Sequence, residues 1–251
     1  MLKTVHATRY VVPLREGGSL PAIVEADDDG IYVVKFTGAG QGPRVLAAEI
    51  IAARIAASLE IAVPDCALVD IPAAVAKYEA DEEAQDLLNA SPGINLGSDY
   101  LPGSAAFDPG TSIEPGRAST VMWFDALIAN IDRTWHNPNL LVWHRNVWCI
   151  DHGASLYFHH GWQNGLDPDR FAAAGYRFDD HVLAGTGVVD DDVHARCASL
   201  ITDDVLHAAV ADVPDEWLLP NAETADPDGV RDAYVQYMGR RRDTAPWLAN
   251  V

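Results

Sequence analysis

The sequence predicts an α+β fold in two lobes. A β-rich N-lobe with one buried helix spans about residues 1–101, and a mostly helical C-lobe spans about 102–251. Three observations predict this. The first hundred residues are dominated by short β-branched and aromatic runs bounded by Gly, Pro and Asp. One long apolar segment, residues 44–59, interrupts them. After a connector rich in Gly, Pro and Ser (residues 103–117), the periodic segments are mostly helical. The two lobes are read as one domain covering 1–251, with a ligand expected in the cleft between them.

In order along the chain, residues 5–15 and 21–26 read as two strands around the turn Glu16-Gly17-Gly18-Ser19. Asp27-Asp28-Asp29-Gly30 is a turn signal, and Ile31 to Phe36 follows as a third strand. Residues 44–59 are apolar almost all round, the pattern of a buried helix. Residues 66–71 and 95–101 complete the set of strands, and 73–90 reads as helical. Beyond the connector, helices are expected at 118–130, 190–211 and 228–242. A strand pair, 139–143 and 147–151, turns at His144-Arg145-Asn146.

Composition excludes several functions. The 251 residues include 17 Lys+Arg against 37 Asp+Glu, a net charge of −20. Nucleic-acid affinity needs clustered cations, so no nucleic-acid partner is expected. No run of about 18 apolar residues exists, so no membrane insertion is expected. The N-terminus reads as no signal peptide, and the three cysteines fall in no CxxC pair. The expected compartment is the cytoplasm.

Several polar residues stand where chemistry would need them. Strand alternation puts Lys35 on a face with Ile31 and Val33, opposite Tyr32, Val34 and Phe36. Both faces are apolar, so the strand reads as covered on both sides and the ammonium needs a partner or a ligand anion, unless it snorkels. Glu49 lies inside the apolar helix and wants a cation. Arg54 is about 140° around the helix, which leaves Lys35 as the candidate, or Glu49 faces the cleft exit. The Gly17-Gly18-Ser19 turn has amides able to fold over phosphates. Gly38 to Gly42, just before a helix with Arg44, is a second potential anion site.

The run Asn130-Ile131-Asp132-Arg133-Thr134-Trp135-His136-Asn137-Pro138-Asn139 is the most specific. Asp132 and Asn137 have the spacing of the Asp-x-x-x-x-Asn loop, in which the carboxylate orients or deprotonates an attacking hydroxyl and the amide oxygen reaches a metal. Asp151-His152-Gly153 ends the following hairpin, where a metal-binding Asp is expected. Singly, each is a turn or strand cap. Together, in the order Lys, Glu, Asp, Asn, Asp, they form a set. Five histidines between 136 and 160 raise a metal hydrolase as an alternative. No HExxH occurs and His159-His160 read as pointing apart in a strand, so His152 and His159 are expected to pack near the site and bond its acidic loops.

The runs REGGSLPAIVEA, YVVKF-TGAGQG, AAEIIAARIAASLEIAVP, NIDRTWHNPNLLVW and IDHGASLYFHH resemble the small HipA-like kinase-domain proteins. These are relatives of the HipA toxin kinases and, more distantly, of the phosphatidylinositol-3/4-kinase branch. The resemblance implies a two-lobed protein-kinase-like fold and an ATP- and Mg2+-dependent phosphotransferase acting on a hydroxyl of a protein or small molecule. It implies that Lys35 bridges ATP phosphates and pairs with Glu49, and that Asp132 is the catalytic carboxylate. Asn137 and Asp151 would hold Mg2+, with Asn139 the alternative ligand from the lipid-kinase pattern. Gly17, Gly18, Ser19, Lys35, Asp99 and Leu101 would contact the nucleotide, and Arg133 would join Lys35 and Mg2+ in neutralising charge. The toxin kinases are longer, with an extra N-terminal subdomain that is not expected here. A pseudokinase acting through a partner and adenylyl transfer on the same fold are the competing functions.

Overall fold

The computed structural model describes residues 1–15, 19–75, 79–108, 110–218 and 226–248. The chain divides into two compact units. One comprises Met1–Leu46 and Pro64–Pro102, the other Ala47–Val63 and Gly103–Val251.

The N-terminal unit is built on five strands: β1 (Thr4–Pro13), β2 (Ala22–Ala26), β3 (Ile31–Lys35), β4 (Cys66–Ile71) and β5 (Gly93–Asp99). They close into a barrel in the order β1-β2-β3-β5-β4. Closure depends on β1, which pairs antiparallel with β2 and, at Thr4 to His6, parallel with β4. Two register shifts in β1 let a single strand bend between both partners. Alternation fills the interior with Val5, Val24, Tyr32, Val34, Val69 and Ile71. Gly97 of β5 sits where the barrel leaves no room for a side chain. A Cβ there would lie 2.6 Å from a Val69 methyl and 3.2 Å from Tyr32 Cβ.

Two expectations change in this unit. The second face of β3 is only partly covered, since Ile31 is 40% exposed while Val33 and Lys35 are half-buried. The helix expected over 73–90 is restricted to α2 (Glu82–Asn89), because Asp81 caps it by accepting from the Ala84 N–H. Residues 73–75 form a turn before it, and 76–78 lie outside the described residues.

Helix α1 (Pro43–Ser58) begins in the N-terminal unit and continues in the C-terminal one. The rest of the C-terminal unit holds α3 (Pro115–Ile128), α4 (Asp169–Ala172), α5 (Asp191–Leu200), α6 (Asp203–Ala211), α7 (Asp215–Leu218) and α8 (Pro227–Thr244). A small sheet accompanies them: β6 (Ala105–Ala106), β7 (Leu140–Trp143) and β8 (Asn146–Cys149). The connector therefore contributes a strand. The helix expected over 190–211 is two helices, because the Thr202 side chain accepts from Val205 N–H and starts α6 afresh. The hairpin turn is His144-Arg145 alone, both at positive φ, with Trp143 facing Asn146.

Helix α3 is buried along nearly its whole length. Arg241 of α8, itself buried, donates to the carbonyls of Ala126 and Leu127 at the α3 C-terminus (2.6 and 3.1 Å). A cation satisfying terminal carbonyls anchors the helix that delivers the following loop. Among the described residues no helix is long and apolar enough to cross a membrane.

Candidate active site

The loop after α3 is shaped by a buried carboxylate. Ala129 ends α3 in the left-handed conformation (φ 53°), and Asn130 folds back to give its backbone N–H to the Asp125 carbonyl (2.8 Å) and its amide to Asp125 Oδ1 (2.9 Å). Asp125 is fully buried. Its other oxygen accepts from Arg133 Nε (2.7 Å) and lies 3.0 Å from His181 Nε2. Burial by itself would raise the Asp125 pKa, but the charge of Arg133 and the bond to His181 reverse this and hold it at about 2. Tyr176 closes the network by donating to the Asn130 carbonyl (2.5 Å).

Arg133 is 1% exposed. Besides Asp125 it donates to the Asn139 carbonyl and to the Ile150 carbonyl (3.3 Å). Its role is thus to tie the loop to the strand end preceding Asp151. This corrects the expectation that Arg133 neutralises phosphate charge, because its guanidinium is used up inside the protein. Asp125, Tyr176 and His181 were missed in the sequence. An acid within the apolar run Val121–Ile128 was the available signal for Asp125, much like the one that singled out Glu49.

On this support sit the candidate residues. Asp132 is half-buried, and its Oδ2 accepts from the amides of both Asn137 (2.9 Å) and Asn139 (3.1 Å). The loop is stiffened by Thr134, whose N–H donates to the carbonyls of Asp132 (2.9 Å) and Asn137 (3.0 Å). Ile150 N–H donates to the Asn139 carbonyl (3.0 Å), which joins the two ends of the hairpin. Asp151 follows, exposed and at φ 53°. A non-glycine residue held left-handed costs about 1–2 kcal/mol and marks a constrained position.

Glu49 of α1 is 7% exposed. Its Oε2 accepts the backbone N–H of His152 (3.0 Å) and lies 3.4 Å from His152 Nδ1. The buried carboxylate is thus bonded to the residue next to Asp151. Arg54 pairs instead with Asp212.

The histidines do not assemble. His136 lies tilted against Trp135, His144 turns the hairpin, and His159 bonds Tyr234 (2.8 Å). His159 and His160 lie in a 3-10 helix over Tyr157–Asn164, with their Nε2 atoms 3.2 Å apart, not diverging along a strand. Among the described residues no three His, Cys, Asp or Glu side chains form a cluster able to hold a metal ion. Asp151, Asn137 and Asn139, the metal ligands expected from the sequence, offer oxygen donors of another kind. Both amides turn their nitrogens to Asp132, which directs their oxygens away from it. Hard oxygen donors of this sort fit Mg2+.

The remaining candidates belong to the N-terminal unit. Lys35 ends β3 opposite Leu96, and Asp99 ends β5 opposite Tyr32, three register positions away. Burial, then the charge of Asp65, raises the Asp99 pKa. The Leu101 side chain is buried, and Ser19 lies in a turn. Gly17 and Gly18 lie outside the described residues. In the second glycine loop, Gly38 N–H bonds Ser91 Oγ (3.0 Å) and the N–H groups of Ala39 and Gly42 bond backbone carbonyls, so these amides are committed internally.

Residues 9–248 match the sequence model of the HipA-like kinases. No curated protein sequence matches the chain. Among solved structures, the Helicobacter pylori proinflammatory kinase CtkA is similar in fold, with a TM-score of 0.58 and 14% identity over 97% of this chain and 95% of that one. The β-rich N-terminal region and the mostly helical C-terminal region are those of the kinase-like fold. With nearly the whole length matched, the chain belongs to the HipA-like kinase family, a family of phosphotransferases.

Proposed function

We propose that the protein transfers the γ-phosphoryl group of ATP to a hydroxyl acceptor with Mg2+ as cofactor. The observation that carries this reading is Asp132, whose Oδ2 is gripped by two asparagine amides while Arg133 binds the same loop to the strand end before Asp151. In this reading Asp132 Oδ1 orients the acceptor hydroxyl and takes up its proton. The amide grip holds the carboxylate still, so little reorganisation is needed as the hydroxyl attacks. Asp151 and one of Asn137 and Asn139 hold Mg2+, which when bound supplies charge neutralisation for the phosphate oxygens. Lys35 pairs with Glu49 and bridges the phosphates, and Gly17, Gly18, Ser19, Asp99 and Leu101 line the nucleotide. Glu49 also fixes the backbone beside Asp151 through His152 N–H.

The test is direct. Asp132→Asn lowers turnover by on the order of 10²–10⁴-fold, the worth of a positioned base, and leaves ATP affinity nearly unchanged. Asp151→Asn weakens ATP binding in the presence of Mg2+ and leaves the Mg2+-free affinity alone. Both affinities are read by calorimetry. The product is heavier than the acceptor by about 80 Da for phosphoryl transfer, against about 329 Da for adenylyl transfer. Failure to bind ATP at millimolar concentration, or full activity in both variants, would overturn the assignment.

A further inference from the structure

The C-terminal unit holds a cavity of about 510 Å3 between the end of α1, the start of α3 and the turn of the β7–β8 hairpin. That is the size of a small-molecule site. One wall is apolar, formed by Leu59, Ile61, Val121 and Val147. Three arginines also line it: Arg117, Arg145 and Arg196. They stand apart from most arginines of this acidic chain, which are paired with carboxylates. Arg9 pairs with Glu25, Arg54 with Asp212, Arg231 with Asp215 and Asp228, and Arg242 with Asp203 and Asp243. Arg117, Arg145 and Arg196 form no salt bridge within 4 Å among the described residues, while the charges of Arg117 and Arg196 help the α3 cap bonds hold the Glu114 pKa down. Arg196 Nη2 donates only to Thr120 Oγ1 (3.1 Å).

Two acids share the lining, Glu60 and Glu114. The Glu114 carboxylate is already engaged as the cap of α3, accepting the N–H groups of Gly116 and Arg117 (2.9 Å each). Three arginines against two glutamates leave the cavity net positive in a chain of charge −20. Arg145 occupies the second position of a two-residue turn at φ 65°, where glycine is unstrained. Placing arginine there costs about 1 kcal/mol and aims a long cation at the cavity.

We propose that this cavity binds a small phosphomonoester. Arg117, Arg145 and Arg196 hold the dianion and the Leu59–Val147 wall holds its apolar part, and occupancy alters the rate at the phosphotransfer site. Planar guanidinium groups match phosphate oxygens in charge and geometry. The route to the active site is short and made of continuous elements. Helix α1 places Glu49 about 15 Å from Leu59. The hairpin spans about 20 Å from Arg145 to Asn139. Helix α3 runs from Gly116 into the Asp132 loop, and Cys149 N–H donates to the Ala62 carbonyl (2.8 Å), joining β8 to the segment after α1. The binding rests on the cavity alone, whereas the effect on rate rests on the phosphotransfer reading above.

Calorimetric titration of the full chain with phenyl phosphate and with inorganic phosphate tests the binding. The expected result is saturable binding, with phenyl phosphate about threefold or more the tighter because its ring reaches the apolar wall. Arg145→Gln combined with Arg196→Gln weakens it by about tenfold or more, as loss of charge-assisted bonds requires. Lys35→Ala leaves it unchanged. Arg117→Gln alone serves if the double variant melts early. No binding at about 10 mM, binding that survives the arginine changes, or binding lost in Lys35→Ala overturns the site. With the site saturated by phenyl phosphate, ATP turnover shifts about threefold or more in the parent chain and not in the double variant. An unchanged rate overturns the coupling. Absence of turnover in every sample overturns the coupling and the phosphotransfer reading together, and the titration still decides the site.

Discussion

Asp125 is the residue on which the candidate site depends most. It reaches no substrate, yet it holds Asn130, Arg133 and His181, and through Arg133 it sets the Asp132 loop against Asp151. Asp125→Asn leaves Arg133 charged and without its ion-pair partner in the interior, which costs about 3–5 kcal/mol. A drop in Tm of roughly 10 °C in calorimetry is expected for a chain of this size. The same pair contributes to acid stability. The folded-state pKa is about 2, below the ordinary carboxylate value of 3.8. The unfolded chain therefore takes up the proton first. The stabilisation is complete above about pH 4 and is lost as pH falls toward 2. Urea titrations between pH 5 and 2.5 read it as a falling midpoint whose fall is smaller in Asp125→Asn, since Asp28, Asp81 and Glu114, also held below their ordinary values, still contribute. None of these roles follows from residue spacing, because Asp125 and His181 are 56 positions apart and meet only in the fold.

At the scale of elements, two short features carry testable weight. Gly97 lets β5 pass over Val69 and Tyr32, and Gly97→Ala forces a methyl to within 2.6 Å of a Val69 methyl. Overpacking of this kind costs about 1–3 kcal/mol, read as a lower urea midpoint with the native circular dichroism retained. Thr202 starts α6 by capping Val205 N–H, and Thr202→Ala costs about 1 kcal/mol by the same measurement. The strands were readable because period-2 burial and turn residues are local signals, and all five strands of the barrel were anticipated. The break at Ile201-Thr202 was hidden, because an apolar helical pattern continues through it and only the cap marks the new start.

For the whole molecule the dominant quantity is the charge of −20. Like charges at that density oppose the compact state, and salt screens them within about 10 Å at 0.1 M. Thermal melting in NaCl from about 20 to 300 mM is expected to raise Tm. A fall in Tm would mean that ion pairs such as Arg231–Asp215 outweigh the repulsion.

The sequence by itself determined the fold class, the order of the main elements, the family resemblance and the Asp132–Asn137 and Asp151 motifs. Each of these is written in periodicity or in spacing over a few residues. Tertiary structure decided the rest. Pairing of β1 with β4 closed the barrel, burial turned Arg133 from a ligand for phosphate into a support for the loop, and Glu49 acquired His152 as a partner. The physical reason is common to all three. A polar group's role depends on what has displaced water from around it, and that is fixed only when distant segments pack.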